Sequence, residues 1–192
     1  MKPYEGFNTQ APAQRFQMLP AGTYVAAIKA VKIEGTEPDQ QLVLRLEIVE
    51  GAYAGYYTKR YQHDAGGRFE ARYKGDYRLQ IPNQANQYRK HYDWDANAFN
   101  AAIYSITASN PGFVWDWDEN KLIGKLVGIN VREGTYNGAS YTRIGRLEDV
   151  NAVRAGTVQT MPPMAARNDQ PAEPEQPAAP QSFTQVNTDL PF

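Results

Sequence analysis

The chain has 192 residues, is 42% hydrophobic and carries a formal net charge of −1, which allows one ordinary core with an appendage or at most two small domains. It contains no cysteine, so a disulfide framework, a thiolate zinc site and a cysteine nucleophile are all excluded. Residues 1–16 lack an apolar signal core, and nowhere do about 18 apolar residues run together, so the expectation is a cytoplasmic protein without a membrane span. The near-zero charge hides an asymmetry. Residues 157–192 hold Arg167 against Asp169, Glu173, Glu175 and Asp189, and a mildly basic body therefore carries an acidic tail.

In chain order, residues 1–18 read as an N-terminal extension. The body, residues 19–156, opens on "LPAGTYVAAIKAVKIEG", where Pro20 and Gly22 precede a β-branched and aromatic strand. "QLVLRLEIVEG" alternates most clearly. Leu42, Leu44, Leu46 and Ile48 fall on one face and Arg45 and Glu47 on the other, as in a half-buried strand. A third strand is expected at "YYTKRYQH", after "EGAYAG". The pattern E-G-x-Y-x-G occurs at residues 50–55 and again at residues 133–138, and its glycines suit two similar tight hairpins better than a duplicated ligand site.

One helix follows, where Asp95 can cap "ANAFNAAIYSITASNPG" and Phe99, Ala102, Ile103 and Ile106 recur at helical spacing. Asn110, Pro111 and Gly112 stop it. "KLIGKLVGINVREG" gives a fourth strand, with Ile123, Val127, Ile129 and Val131 on one side, and "SYTRIGRLEDV" a fifth. The order β-β-β-α-β-β, mainly β, is that of an OB-fold, a five-stranded Greek-key barrel; other five-stranded barrels share it. Residues 157–192, rich in Pro, Ala and Gln, read as a disordered linker.

Residues 56–92 have the most unusual composition. Eight Lys and Arg side chains stand against three acidic ones, interleaved with eight aromatics. Single-stranded nucleic acid asks for this mixture, because cations follow the phosphates and flat rings stack on unpaired bases at about 1–3 kcal/mol each. The candidate nucleic-acid-binding residues are Tyr56, Tyr57, Lys59, Arg60, Tyr61, Arg68, Phe69, Arg72, Tyr73 and Lys74. The plainer alternative is that the tyrosines finish the core while the cations form a solvated rim.

Two acidic clusters surround tryptophans, Asp93 and Asp95 around Trp94, and Asp116 and Asp118 around Trp117. Carboxylates near Lys121 could hold Mg²⁺ for phosphodiester cleavage, but aspartates before a helix or in a turn are more often caps. Trp94, Trp115 and Trp117 fit core or interface positions better than ligand platforms. His63 and His91 have neither metal-ligand spacing nor a nucleophile nearby. The G-x-S-x-G, G-x-x-x-x-G-K-S/T and G-x-G-x-x-G patterns are absent. The expectation is a non-catalytic protein without a cofactor or metal.

The motifs "LPAGTYVAAIKAVKI", "EIVEGAYAGYY", "SNPGFVWDWDENKLIGKLVGINVREGTYNG" and "TRIGRLEDVNAVRAG" resemble the single-stranded-DNA-binding proteins of bacteriophages and other mobile elements of Gram-positive bacteria. The last residues, Asp189, Leu190, Pro191 and Phe192, resemble the C-terminal tip of bacterial single-stranded-DNA-binding protein. The resemblance implies coating of single-stranded DNA in replication and recombination, and a tip that binds basic, apolar pockets on replication, recombination and repair proteins. It leaves open whether the chain forms a homo-oligomer. Family tips usually carry several acids, whereas Val186, Asn187 and Thr188 precede the single Asp189 here. The competing expectation is an interaction protein that occupies such pockets on host enzymes and binds little DNA itself.

Overall fold

The computed structural model describes residues 16–66, 70–88 and 90–165. Five strands, β1 (Gly22–Glu34), β2 (Gln41–Ile48), β3 (Asp76–Gln80), β4 (Leu126–Tyr136) and β5 (Ala139–Glu148), form one antiparallel sheet in the order β3-β2-β1-β4-β5. β1 sits at the centre because it is long enough to serve two neighbours. Residues 22–27 pair with β4 and residues 26–34 with β2, with a register irregularity between Ile28 and Ala30. Such an extra residue bends a strand and increases its twist. β3 and β5 are the two edges and do not pair with each other, so the sheet is open rather than the closed five-stranded barrel expected from the element order.

The helices are α1 (Tyr56–Ala65), α2 (Tyr92–Ser109) and α3 (Val150–Arg154). Leu42, Leu44, Leu46 and Ile48 enter the core as their alternation requires, facing Val127, Ile129 and Val131 of β4 within the same cluster. α2 contributes Phe99, Ala102, Ile103 and Ile106 and packs against β3, β4 and β5. Asn110 ends that helix. Its Nδ2 donates to the Ile106 and Leu126 carbonyls, each at 2.7 Å, and its Oδ1 accepts from Leu126 N at 3.0 Å, so one side chain ties the helix stop to the start of β4.

Four further expectations need correction. "YYTKRYQH" is not a strand but most of α1, and the third strand lies at Asp76–Gln80. The first E-G-x-Y-x-G is therefore no hairpin. It carries the chain from β2 into a helix, with Gly51 and Gly55 at φ 77° and 74°. The second copy does turn the β4–β5 hairpin, through Asn137 and Gly138 at φ 46° and 77°, the pair of positive angles that suits strand twist. Asp95 lies inside the first turn of α2 rather than at its cap, which is His91. Ile123 stands outside β4 and is exposed.

Beyond Glu148, Asp149 caps α3 by accepting from Asn151 N at 2.9 Å, and Arg154 pairs with Glu50 at 2.5 Å. Residues of the expected linker then lie against β4. The buried Asn130 donates to the Gln159 carbonyl at 2.9 Å and accepts from Met161 N at 3.1 Å, and Met164 N donates to the Glu133 carbonyl at 2.8 Å. Among the described residues no helix is long and apolar enough to cross a membrane.

Candidate nucleic-acid interface

α1 begins without a cap of its own, since Gly55 has no side chain to offer. The first N–H groups of a helix need an acceptor, and the helix dipole favours a negative one. Glu47 on β2 supplies it. Only 5% exposed, its Oε1 accepts from Tyr57 N and Ile48 N at 3.0 Å, and its Oε2 accepts from Thr58 N at 2.7 Å and from the Thr58 hydroxyl. Tyr73 Oη lies 3.1 Å from both Glu47 Oε2 and the Leu46 carbonyl. One buried carboxylate thus fixes both α1 and the segment leading to β3. Gly75 completes the docking, because a Cβ there would meet the Leu46 carbonyl at 2.4 Å and the Tyr57 ring at 2.8 Å.

Tyr56 and Tyr57 anchor the helix to the core and are 7% and 4% exposed, which leaves almost no ring surface for a base. Tyr56 Oη accepts from Leu19 N at 2.8 Å and donates to the Gln17 carbonyl at 3.0 Å. Burial raises the Tyr57 phenol above its ordinary pKa, with the Tyr56 and Glu47 charges adding to the effect. Tyr73 is raised for the same first reason, then by Glu47. Burial also pushes Tyr24 up to about 12 and raises Tyr77.

Beside this scaffold, on the face of β1, β2 and β3 away from the core, lies a cleft of about 680 Å³. Lys32, Arg45 and Arg78 line its floor, while Tyr61, Arg72 and Tyr73 line its flank. Tyr61 is 41% exposed and stands 6.1 Å from the Tyr73 ring. The Arg45 guanidinium covers the Tyr73 ring at 4.7 Å. Several cations have partners. Arg45 makes a two-pronged pair with Asp76 at 2.9 and 3.1 Å, and Glu34 takes Lys32 and, at 3.4 Å, Arg78. The Lys32 hydrogen bond is the first cause holding Glu34 below the usual carboxylate range.

Among the residues expected to bind nucleic acid, Tyr61, Arg72 and Tyr73 therefore meet in one cleft. Lys59 donates to the Ala54 carbonyl at 3.0 Å, and Arg60 pairs with Asp64 at 3.3 Å. Lys74 faces a groove on the other side of α1. Arg68, Phe69, Asp189, Leu190, Pro191 and Phe192 lie outside the described residues. The sequence reading missed Lys32, Arg45 and Glu47. Arg45 was already on the polar face of β2, but its meeting with Lys32 depends on strand register; Glu47 carries no local sign of burial.

Elsewhere, Asp118 caps a short turn by accepting from Asn120 N at 3.1 Å, and Asp116 pairs with Lys121. Trp94 and Trp117 are 72% and 64% exposed, so neither is a core residue. Among the described residues no three His, Asp or Glu side chains gather as metal ligands would. No protein-family description matches the chain, and no curated protein matches it either.

Proposed function

We propose that the protein binds single-stranded DNA without catalysing a reaction, through the cleft on β1, β2 and β3. The observation that carries this reading is the meeting of four cations, against the two carboxylates of Glu70 and Asp76, with the Tyr61 and Tyr73 rings in one open cleft. Phosphates need the cations, and stacked bases need accessible rings. The strand order, with a helix between β3 and β4, is compatible with a partly open OB-fold, whose strand 2–3 face commonly holds oligonucleotides. The resemblance to phage proteins adds the setting: coating of DNA during replication and recombination in the cytoplasm of a bacterial host, with recruitment of partner enzymes through Asp189, Leu190, Pro191 and Phe192.

Titration of a labelled dT20 with the full chain tests the reading. Affinity should fall as salt rises, with a log–log slope of about −0.7 for each phosphate contacted. Absence of binding at low salt would remove it. In that event a second reading stands, an interaction protein with little DNA binding, favoured by the exposed Trp94, Tyr104, Val114 and Trp117 on α2 and the loop after it. Incubating the same DNA with Mg²⁺ tests the non-catalytic part: intact DNA is expected, and cleavage would overturn it.

A further inference from the structure

The edge strands β3 and β5 do not pair with each other, and beside β5 lie α1 and the chain that leads into β3. A groove of about 610 Å³ runs between residues 140–143 of β5 on one side and α1 with Lys74, which leads into β3, on the other. Tyr56 builds its far wall. By fixing Gln17 and Leu19, it seats Phe16 against its own ring at 5.3 Å and beneath the Arg60 guanidinium at 5.7 Å.

Two features separate this groove from an ordinary surface depression. Its lining among the described residues contains Arg60, Lys74 and Arg143 but no carboxylate. Arg60 is shared with Asp64, whereas neither Lys74 nor Arg143 has an ion-pair partner among the described residues. Tyr141 adds an exposed ring opposite Gly134, where a Cβ would lie 2.7 Å from it. Positive charge without local compensation, beside an accessible aromatic face, suits a polyanion that carries flat bases. A neutral or cationic ligand would leave Lys74 and Arg143 unanswered.

The groove also adjoins the first cleft. Tyr73 lines the cleft and Lys74, the next residue, lines the groove, while the Tyr57 and Tyr73 rings, 6.1 Å apart, form the partition. We infer that the groove between α1 and β5 is a second contact for the same single strand, in which Lys74 and Arg143 hold phosphates and Tyr141 stacks on a base, so that the DNA passes from the sheet face around Tyr73 into the groove. The inference rests on the single-stranded-DNA reading. It adds β5 to the site, which the composition of residues 56–92 did not indicate.

A length series separates the two claims. Labelled dT6 and dT20 are titrated with the full chain and with a Lys74→Ala, Arg143→Ala double variant across a range of salt. For dT20 the variant should flatten the salt slope by about 1.4, two phosphates at 0.7 each, while dT6, which the proposal seats on the sheet face alone, should bind within about twofold of the unaltered chain. Tyr141→Ala should weaken dT20 about tenfold, in the range of one lost stacking contact. An unchanged dT20 slope in the double variant would overturn the second contact while leaving the first intact. Equal losses for both lengths would overturn the division into two segments. No binding of either oligonucleotide by the unaltered chain would overturn this inference together with the reading beneath it. Photocrosslinking of 5-iododeoxyuridine-substituted dT20 to the unaltered chain gives a check free of folding effects: adducts are expected on Tyr141 as well as Tyr61, and adducts confined to Tyr61 and Tyr73 would contradict the path.

Discussion

The cleft on the sheet face and the groove between α1 and β5 share the Tyr57–Tyr73 partition but hold their cations differently. In the cleft, Arg45 is clamped by Asp76, and Lys32 and Arg78 share Glu34, which leaves only Arg72 without an ion pair among the described residues; in the groove, Arg60 pairs with Asp64, but Lys74 and Arg143 have no such partners among the described residues. A paired guanidinium is positioned in advance, but a phosphate must share it with a carboxylate. An unpaired lysine gives its full charge at the cost of ordering a flexible stem. The two surfaces should therefore divide the work, with orientation and stacking on the sheet face and more of the salt dependence in the groove.

The largest expected effect comes from removing what the two surfaces share. Glu47→Ala leaves the Tyr57 and Thr58 amides and the Tyr73 hydroxyl without their buried acceptor, and should cost about 3 kcal/mol or more of stability in urea unfolding. If stability is unchanged, α1 is not held as described and the two surfaces have no common scaffold. Next in size is Tyr61→Ala. The ring is accessible and outside the core cluster, so dT20 binding should weaken by about 1–3 kcal/mol with the melting temperature nearly constant. Tyr57→Ala should instead lower the melting temperature, since its ring is core. The reverse pattern would exchange their roles.

Raising pH probes the partition itself. The Tyr57, Tyr73 and Tyr77 phenols have folded pKa values above the ordinary 10.0, and Tyr24 is pushed up to about 12. The folded state then holds protons that the unfolded chain has released, so stability is fully present below about pH 9 and falls as pH rises through 10 and beyond. Urea unfolding at stepped pH checks this, and Tyr57→Phe should flatten the fall. The smallest effect is also the most informative about charge. Glu34→Gln releases Lys32 and Arg78, so dT20 should bind a few-fold tighter with a steeper salt slope. Weaker binding would mean that the carboxylate orders the cations more than it neutralises them.

What could be read from the chain alone follows the range of the forces involved. β1, β2, β5, the stop of α2 at Asn110 and the buried face of α2 were legible because alternation, helical spacing and a polar stop act over a few residues. α1 was not. "YYTKRYQH" is rich in aromatic residues that read as strand, and its helical state is set by Tyr56 and Tyr57 packing on the core and by Glu47, about ten residues upstream on another element. The same dependence on distant partners split the candidate site. Composition put Tyr61, Arg72 and Tyr73 among ten candidates, but it could not separate these three, which meet in one cleft, from the buried Tyr56 and Tyr57, nor bring in Lys32 and Arg45 from strands whose register decides who meets whom.

The central claim is that the accessible Tyr61 ring and the clustered cations on the face of β1, β2 and β3 hold single-stranded DNA. The most direct measurement compares dT20 with a duplex of equal length against the full chain, alongside a Tyr61→Ala, Arg72→Ala double variant. Charge attraction is common to both nucleic acids, while stacking needs unpaired bases. The account predicts a clear preference for dT20, at least about tenfold, that largely disappears in the double variant while the melting temperature stays the same. Equal affinity for duplex and single strand, or a preference untouched by the double variant, would contradict it.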